Sequence, residues 1–258
     1  MPGPEEILEK LFQKASENIG KSFVKNKEIS ERIEYVCRCL GNRAGVRLLM
    51  ACMLAKVHNP KVDPRKPYTE IGSKDCFSGR TYDERYLTHF INKHRLSCNP
   101  TTAFLTPALR NMDRTLTKNI DLVGRPERLY KDTLQLLDDV ASGKESAADV
   151  LAETIRFLVI VRDEKKQRME TLISGLQKEK DALPISSENI VNILQQHLRC
   201  KNSSRLPVLI VAAAYNVAAQ KLGEKALPLK GHIAADKQTG ALGDIEICLT
   251  NDDRIVAI

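Results

Sequence analysis

The sequence predicts a mainly helical protein that ends in a small α/β part. Apolar residues recur at helical spacing through most of the first 180 positions, while the segments from Leu229 onward are short, partly alternating and separated by polar turns. The texture changes near Lys178 to Ser187, which divides the chain into a helical region, 1–180, and a second region, 181–258. With 258 residues, 42% of them hydrophobic and 28% charged, the chain can bury a sizeable core, and wholesale disorder is excluded.

The first helix opens at Pro4, Glu5 and Glu6, since proline needs no amide partner in a first turn and acids suit the positive end of the dipole. Ile7, Leu8, Leu11, Phe12, Ala15, Ile19 and Phe23 continue its apolar face. A second helix, carried by Ile29, Ile33, Val36, Cys37 and Leu40, is expected to stop at Gly41. A third, from Asn42 to about Val57, is apolar on most sides, as befits the inside of a bundle. Thr81 and Glu84 form a capping-box pattern ahead of a helix over Tyr82 to Lys93. Asn99 to Asn111 reads as an irregular connection broken by Pro100 and Pro107. Pro126 starts a helix that ends near Gly143. Ser146 with Asp149 begins another, apolar through Val159 and charged from Arg162 to Lys180. In the second region, helices are expected over Glu188 to Leu198 and from Pro207 through Ala219, the latter ended by Gly223. Strands are expected over Leu229 to Ala235, Asp244 to Thr250 and Arg254 to Ile258, forming a β-meander.

The net charge is +7, and most of it falls between Lys61 and Tyr130, where 13 basic side chains face 8 acidic ones among Asn, Thr, Tyr and Pro. That is the composition of polar loops displayed on a scaffold. It suits a surface that contacts phosphates and reads bases. Seven cysteines at irregular spacing, with no second Cys/His pair to complete a zinc site, read as reduced, mostly buried thiols. The longest apolar stretch, Leu206 to Ala219, is too short to span a bilayer, and the acidic start is unlike a secretion signal, so a cytoplasmic protein is expected.

Asp244-Ile245-Glu246-Ile247 sets two carboxylates on one face of a strand and two isoleucines on the other. Two such acids suit a hard divalent cation such as Mg²⁺. The order helix, strand, strand entered by an Asp, third strand matches the front of a nuclease core of the PD-(D/E)xK type. Several stretches then strengthen that match: Asn42-Arg43-Ala44-Gly45-Val46-Arg47, Asn59-Pro60 with Arg65-Lys66-Pro67-Tyr68-Thr69-Glu70-Ile71-Gly72, Ser78-Gly79-Arg80-Thr81-Tyr82-Asp83-Glu84, Cys98-Asn99-Pro100-Thr101-Thr102-Ala103-Phe104 through Asn111, and Asp236 through Ile247. Together they resemble the SacI-type restriction endonucleases over nearly the whole chain.

The resemblance implies a type II enzyme that hydrolyses phosphodiesters in double-stranded DNA at a short site. It also implies Mg²⁺ as cofactor, a homodimer when intact, and a cognate DNA methyltransferase as genetic partner. Asp244 matches the metal-binding Asp of the nuclease motif, and Glu246 is a second candidate. Asp236, at the expected hairpin turn, is a further candidate metal ligand. No Glu followed two residues later by Lys occurs after Asp244, so the expectation is an incomplete core, truncated before that half of the motif and inactive on its own. Arg80, Arg110 and Asn111, with Arg65 and Lys66, are the expected DNA-contacting residues. His232 reads as a packed histidine, and Glu188 as a remote candidate for an additional acid. A non-catalytic DNA-binding or regulatory protein on the same scaffold is the alternative.

Overall fold

A computed structural model describes residues 2–99, 101–180, 186–199, 206–229, 245–249 and 252–257. The chain is mainly helical with a small antiparallel sheet, and it separates into two compact units, Met1–Gly175 and Leu176–Ile258. The division falls five residues before the expected boundary, inside a continuous helix.

In the first unit, helices α1 (Pro4–Glu17), α2 (Lys27–Arg38), α3 (Ala44–His58), α6 (Glu127–Ala141) and the first half of α7 (Ala147–Lys180) enclose one core. α3 is its axis: every residue from Ala44 to Ala55 is buried, which is what its lack of a polar face dictates. Leu48, Leu49, Met50, Met53 and Leu54 contribute about 1.5 to 3 kcal/mol each by leaving water.

α1 is shorter than its apolar spacing predicts. It ends at Glu17, and Asn18 returns its side-chain amide to the carbonyl of Lys14. The chain then turns so that the Ser22 hydroxyl and the Phe23 amide donate to Glu153 on α7, a bonding pattern a continued helix could not offer. Ile19 and Phe23 still pack on the core from this turn. α2 likewise stops at Arg38 instead of reaching Gly41. Its start is fixed by the Asn26 side chain, which accepts from the amides of Glu28 and Ile29. Ser146 caps α7 by accepting from the Asp149 amide, as the sequence suggests.

The expected helix over Tyr82 to Lys93 begins three residues earlier and is interrupted. α4 (Gly79–Thr81) passes into a π-helical turn, Tyr82–Leu87, and then α5 (Thr88–Lys93). Ser78 caps this run, its hydroxyl accepting from the Thr81 amide.

In the second unit, α8 (Ser187–Leu198) and α9 (Leu206–Leu222) precede three strands. Gly223, in the left-handed region at φ 69°, turns α9 directly into β1 (Glu224–Ala226). β1 pairs antiparallel with β2 (Glu246–Leu249), which pairs antiparallel with β3 (Asp252–Ala257). Among the described residues a helix is thus followed by three antiparallel strands, the first of them, β1, at a place where no strand is expected from the sequence. The strand expected over Leu229 to Ala235 lies, beyond Leu229, outside the described residues. A small core of Ala212, Ile245 and Ile247, joined by Val208, Tyr215 and Ala226, fixes the sheet on α9. No helix among the described residues is long and apolar enough to cross a membrane.

A candidate nucleic-acid interface in the first unit

Arg80, Arg110 and Asn111 come from two stretches about thirty residues apart, and the fold brings all three to one cleft of about 440 Å³. Tyr68 and Phe104 form its apolar wall, their rings edge to face at 5.8 Å, and the Tyr68 hydroxyl donates to the Leu109 carbonyl. Ser78, Thr69, Glu70 and Asp113 add polar groups at the rim.

The cleft is assembled by a buried network that composition does not reveal. Arg47 is 1% exposed and Asp83 fully buried, and the Arg47 guanidinium donates through Nε to the Asp83 carboxylate. Its other nitrogens reach the Asn99 carbonyl and the Thr88 hydroxyl. The second oxygen of Asp83 accepts from the Thr102 hydroxyl at 2.6 Å and the Ala103 amide at 2.9 Å. Burial pushes the Asp83 carboxyl above the ordinary carboxylate range, opposed by Arg47 and the donors around it. Three segments are tied in this way: α3, the π-turn, and the 99–105 connection that leads to Arg110. The π-turn has a local role here. The Thr88 amide and hydroxyl both reach back to the Asp83 carbonyl, and the widened turn sets Asp83 against Arg47 while Arg80 stays outside.

Gly79 lets the two walls meet. A Cβ there would lie 2.4 Å from the Phe104 ring and 2.7 Å from Pro67 Cβ. Gly79→Ala is therefore expected to destabilise the unit by about 1 to 3 kcal/mol, read as a lower thermal midpoint.

Within the cleft, the one ion-pair partner of Arg80 among the described residues is Glu84 at the surface, 2.8 Å away, a pair of the kind worth a few tenths of a kcal/mol and readily exchanged. Arg110 has no ion-pair partner among the described residues. Asn111 sits at φ 56°, a left-handed conformation that asparagine tolerates better than most residues. Two arginines face two acids, so the cleft has little net charge. Such a mixture suits hydrogen bonding to base edges better than holding phosphates.

Arg65 and Lys66 stand elsewhere. Arg65 is braced by Asp63 and Asp138, and Lys66 by Asp75, whose carboxyl is pulled down to about 2 by the Lys66 ammonium. Both backbone carbonyls are also used, accepting from Leu116 and Phe77. These side chains organise the loop and do not line the cleft.

In the second unit, Asp244, Asp236 and His232 lie outside the described residues. Glu246 is on β2, 7% exposed, on the strand face opposite Ile245 and Ile247. Glu224 carries a buried Oε2 with no hydrogen bond, but the register sets it on the isoleucine side of the sheet, away from Glu246. Among the described residues no group of three His, Cys, Asp or Glu could hold a metal ion. Glu246 is a donor of the right chemistry for a hard cation, and the described residues do not complete a site around it. Glu188, at the start of α8, is exposed.

The described cysteines are unpaired, and Cys37, Cys52 and Cys98 are buried, the last with its thiol pushed up to about 12 by burial. Sequence reasoning missed Arg47, Asp83 and Thr102 as a unit, although each lies inside one of the stretches that carry the family resemblance. No family model matches the chain, and no curated protein matches it.

Proposed function

We propose that the chain binds double-stranded DNA site-specifically through the first-unit cleft and belongs to a type II restriction endonuclease that uses Mg²⁺. The observation that carries the reading is the convergence of Arg80, Arg110 and Asn111 on one cleft whose walls are fixed by a buried network. Arginine is the usual donor to guanine O6 and N7, asparagine pairs with adenine, and carboxylates accept from cytosine N4, so this lining matches base readout. The antiparallel order of β1, β2 and β3 behind α9, with Glu246 on β2, is what supports the nuclease half. Asp244 and Glu246 would be the acids that hold the cation, with Asp236 a further candidate. Bound there, Mg²⁺ neutralises charge on the phosphodiester. The homodimer and the methyltransferase partner belong to the same reading.

The test is a binding titration on duplexes of different sequence. Arg80→Ala with Arg110→Ala is expected to lower affinity for the preferred duplex and flatten the preference, with about 1 to 3 kcal/mol of discrimination lost per base-reading pair. The absence of any salt-dependent DNA affinity in the unaltered chain overturns the reading. Magnesium-dependent plasmid nicking by this chain that Asp244→Asn abolishes would overturn the expectation that it is inactive on its own. Binding without nicking is the result expected of an incomplete core. A reading frame that continues past Ile258 into Glu-x-Lys supports the enzyme, and one that does not favours the second reading, a non-catalytic DNA-binding protein on the same scaffold.

A further inference from the structure

A near-neutral cleft cannot by itself grip the DNA backbone, since affinity for a duplex comes chiefly from cations set against phosphates. Two adjoining hollows elsewhere on the first unit supply those cations. One, of about 570 Å³, lies between the end of α5 and α7, and the next, of about 260 Å³, between α7 and the start of α3. They share Lys165. Eight cationic side chains line the two against three carboxylates.

Four of the eight are already engaged: Arg38 by Glu34 and Glu164, Arg162 by Asp163, Lys93 by Glu9, and Lys166 by Glu170. The other four, Arg43, Arg95, Lys165 and Arg168, have no carboxylate within ion-pair distance among the described residues. Arg43 in addition carries a buried Nε that no hydrogen bond reaches. The surface is braced, because the Arg162 guanidinium also donates to the His94 carbonyl at 3.1 Å and so ties the end of α5 to α7. Arg95 is presented by a left-handed backbone at φ 52°. Along α7, Arg162 to Arg168 extends about 9 Å. Among the described residues the one aromatic group lining these hollows, His94, is stacked on Phe12 at 3.7 Å, so these residues offer charge without a platform for bases.

We infer that the α7 surface formed by Lys165, Arg168, Arg43 and Arg95 is a second, sequence-independent contact that holds the phosphodiester backbone of duplex DNA. The inference rests on DNA being the partner of this chain, as proposed above, and assigns the grip to a surface separate from the reading cleft.

The experiment is fluorescence anisotropy on two labelled duplexes of unrelated sequence between about 50 and 200 mM salt. Lys165→Glu with Arg168→Glu, both exposed positions, is compared with Arg80→Ala/Arg110→Ala and the unaltered chain, circular dichroism showing that each is folded. The charge reversal is expected to weaken binding at least tenfold on both duplexes alike. It should also lower the slope of log affinity against log salt by about two, roughly one unit for each phosphate no longer neutralised. Lys165→Gln with Arg168→Gln should give the same slope change with a smaller drop in affinity. Binding unchanged by the reversal, with the cleft variant impaired, overturns this inference and leaves the DNA reading standing. An unaltered chain that binds neither duplex overturns both. Reversal-sensitive binding to phosphatidylserine vesicles without duplex binding assigns the surface to a membrane and overturns it as well.

Discussion

Arg47→Ala is expected to destabilise the first unit by about 3 to 5 kcal/mol, because it leaves the Asp83 carboxylate buried with no opposite charge beside it. The effect should appear in urea denaturation as a lower midpoint with an unchanged slope. Replacing both partners, Arg47→Met with Asp83→Leu, should recover only part of it, since the unpaired buried charge is gone but the Thr102 hydroxyl and the Ala103 amide lose their acceptor. A cost below about 1 kcal/mol in the single variant would mean that the network does not hold the segments together. DNA binding should fall further than stability alone explains in Thr102→Ala, which removes one bond to Asp83 and loosens the connection leading to Arg110 while leaving the ion pair in place.

The second large effect is expected at Glu153, whose side chain is fully buried on α7. It accepts from the Ser22 and Ser30 hydroxyls, the Phe23 amide and the Arg156 guanidinium, so one carboxylate ties the α1–α2 connection to the core. Burial works to raise its pKa, and these donors together bring it below the ordinary value of 4.5. A carboxyl depressed in the folded state adds stability above its unfolded pKa, and that contribution disappears as pH falls through the lower folded value. Glu153→Gln is therefore expected to cost about 3 kcal/mol at neutral pH. The gap between variant and unaltered chain should close progressively below pH 4.5, and the urea midpoint measured from about pH 7 to about pH 3 checks this. A gap that stays constant over that interval would show that the charge at Glu153 is not what stabilises the turn.

Helices are readable because each is written in nearby residues. The apolar totality of α3, the Ser146 cap and the Gly223 terminator are local signals, and all produce the structure their chemistry predicts. Where the sequence misleads, a distant partner has intervened: Ser22 and Phe23 leave α1 to bond a carboxylate 131 and 130 residues away. The cleft follows the same rule. Arg80, Arg110 and Asn111 stand out by type, but Arg65 and Lys66 have the same character and are taken up by aspartates, one of them 73 residues distant. Arg47 and Asp83 look like any charged pair until the fold closes over both. The proposed nuclease half rests only on an order of elements, since Asp244 and Asp236 lie outside the described residues.

The widened turn at Tyr82–Leu87 gives this segment an unusual tolerance profile. One surplus residue there offsets the two ends of the run by about 100° around the axis, the rotation of a single helical step. Removing any one of the residues from Glu84 to Tyr86 would restore regular winding and yet swing Asp83 and Arg80 out of phase with everything after Leu87. Substitutions at Glu84 and Arg85 should be accepted freely, whereas a frame-preserving single-codon deletion at the same place should not.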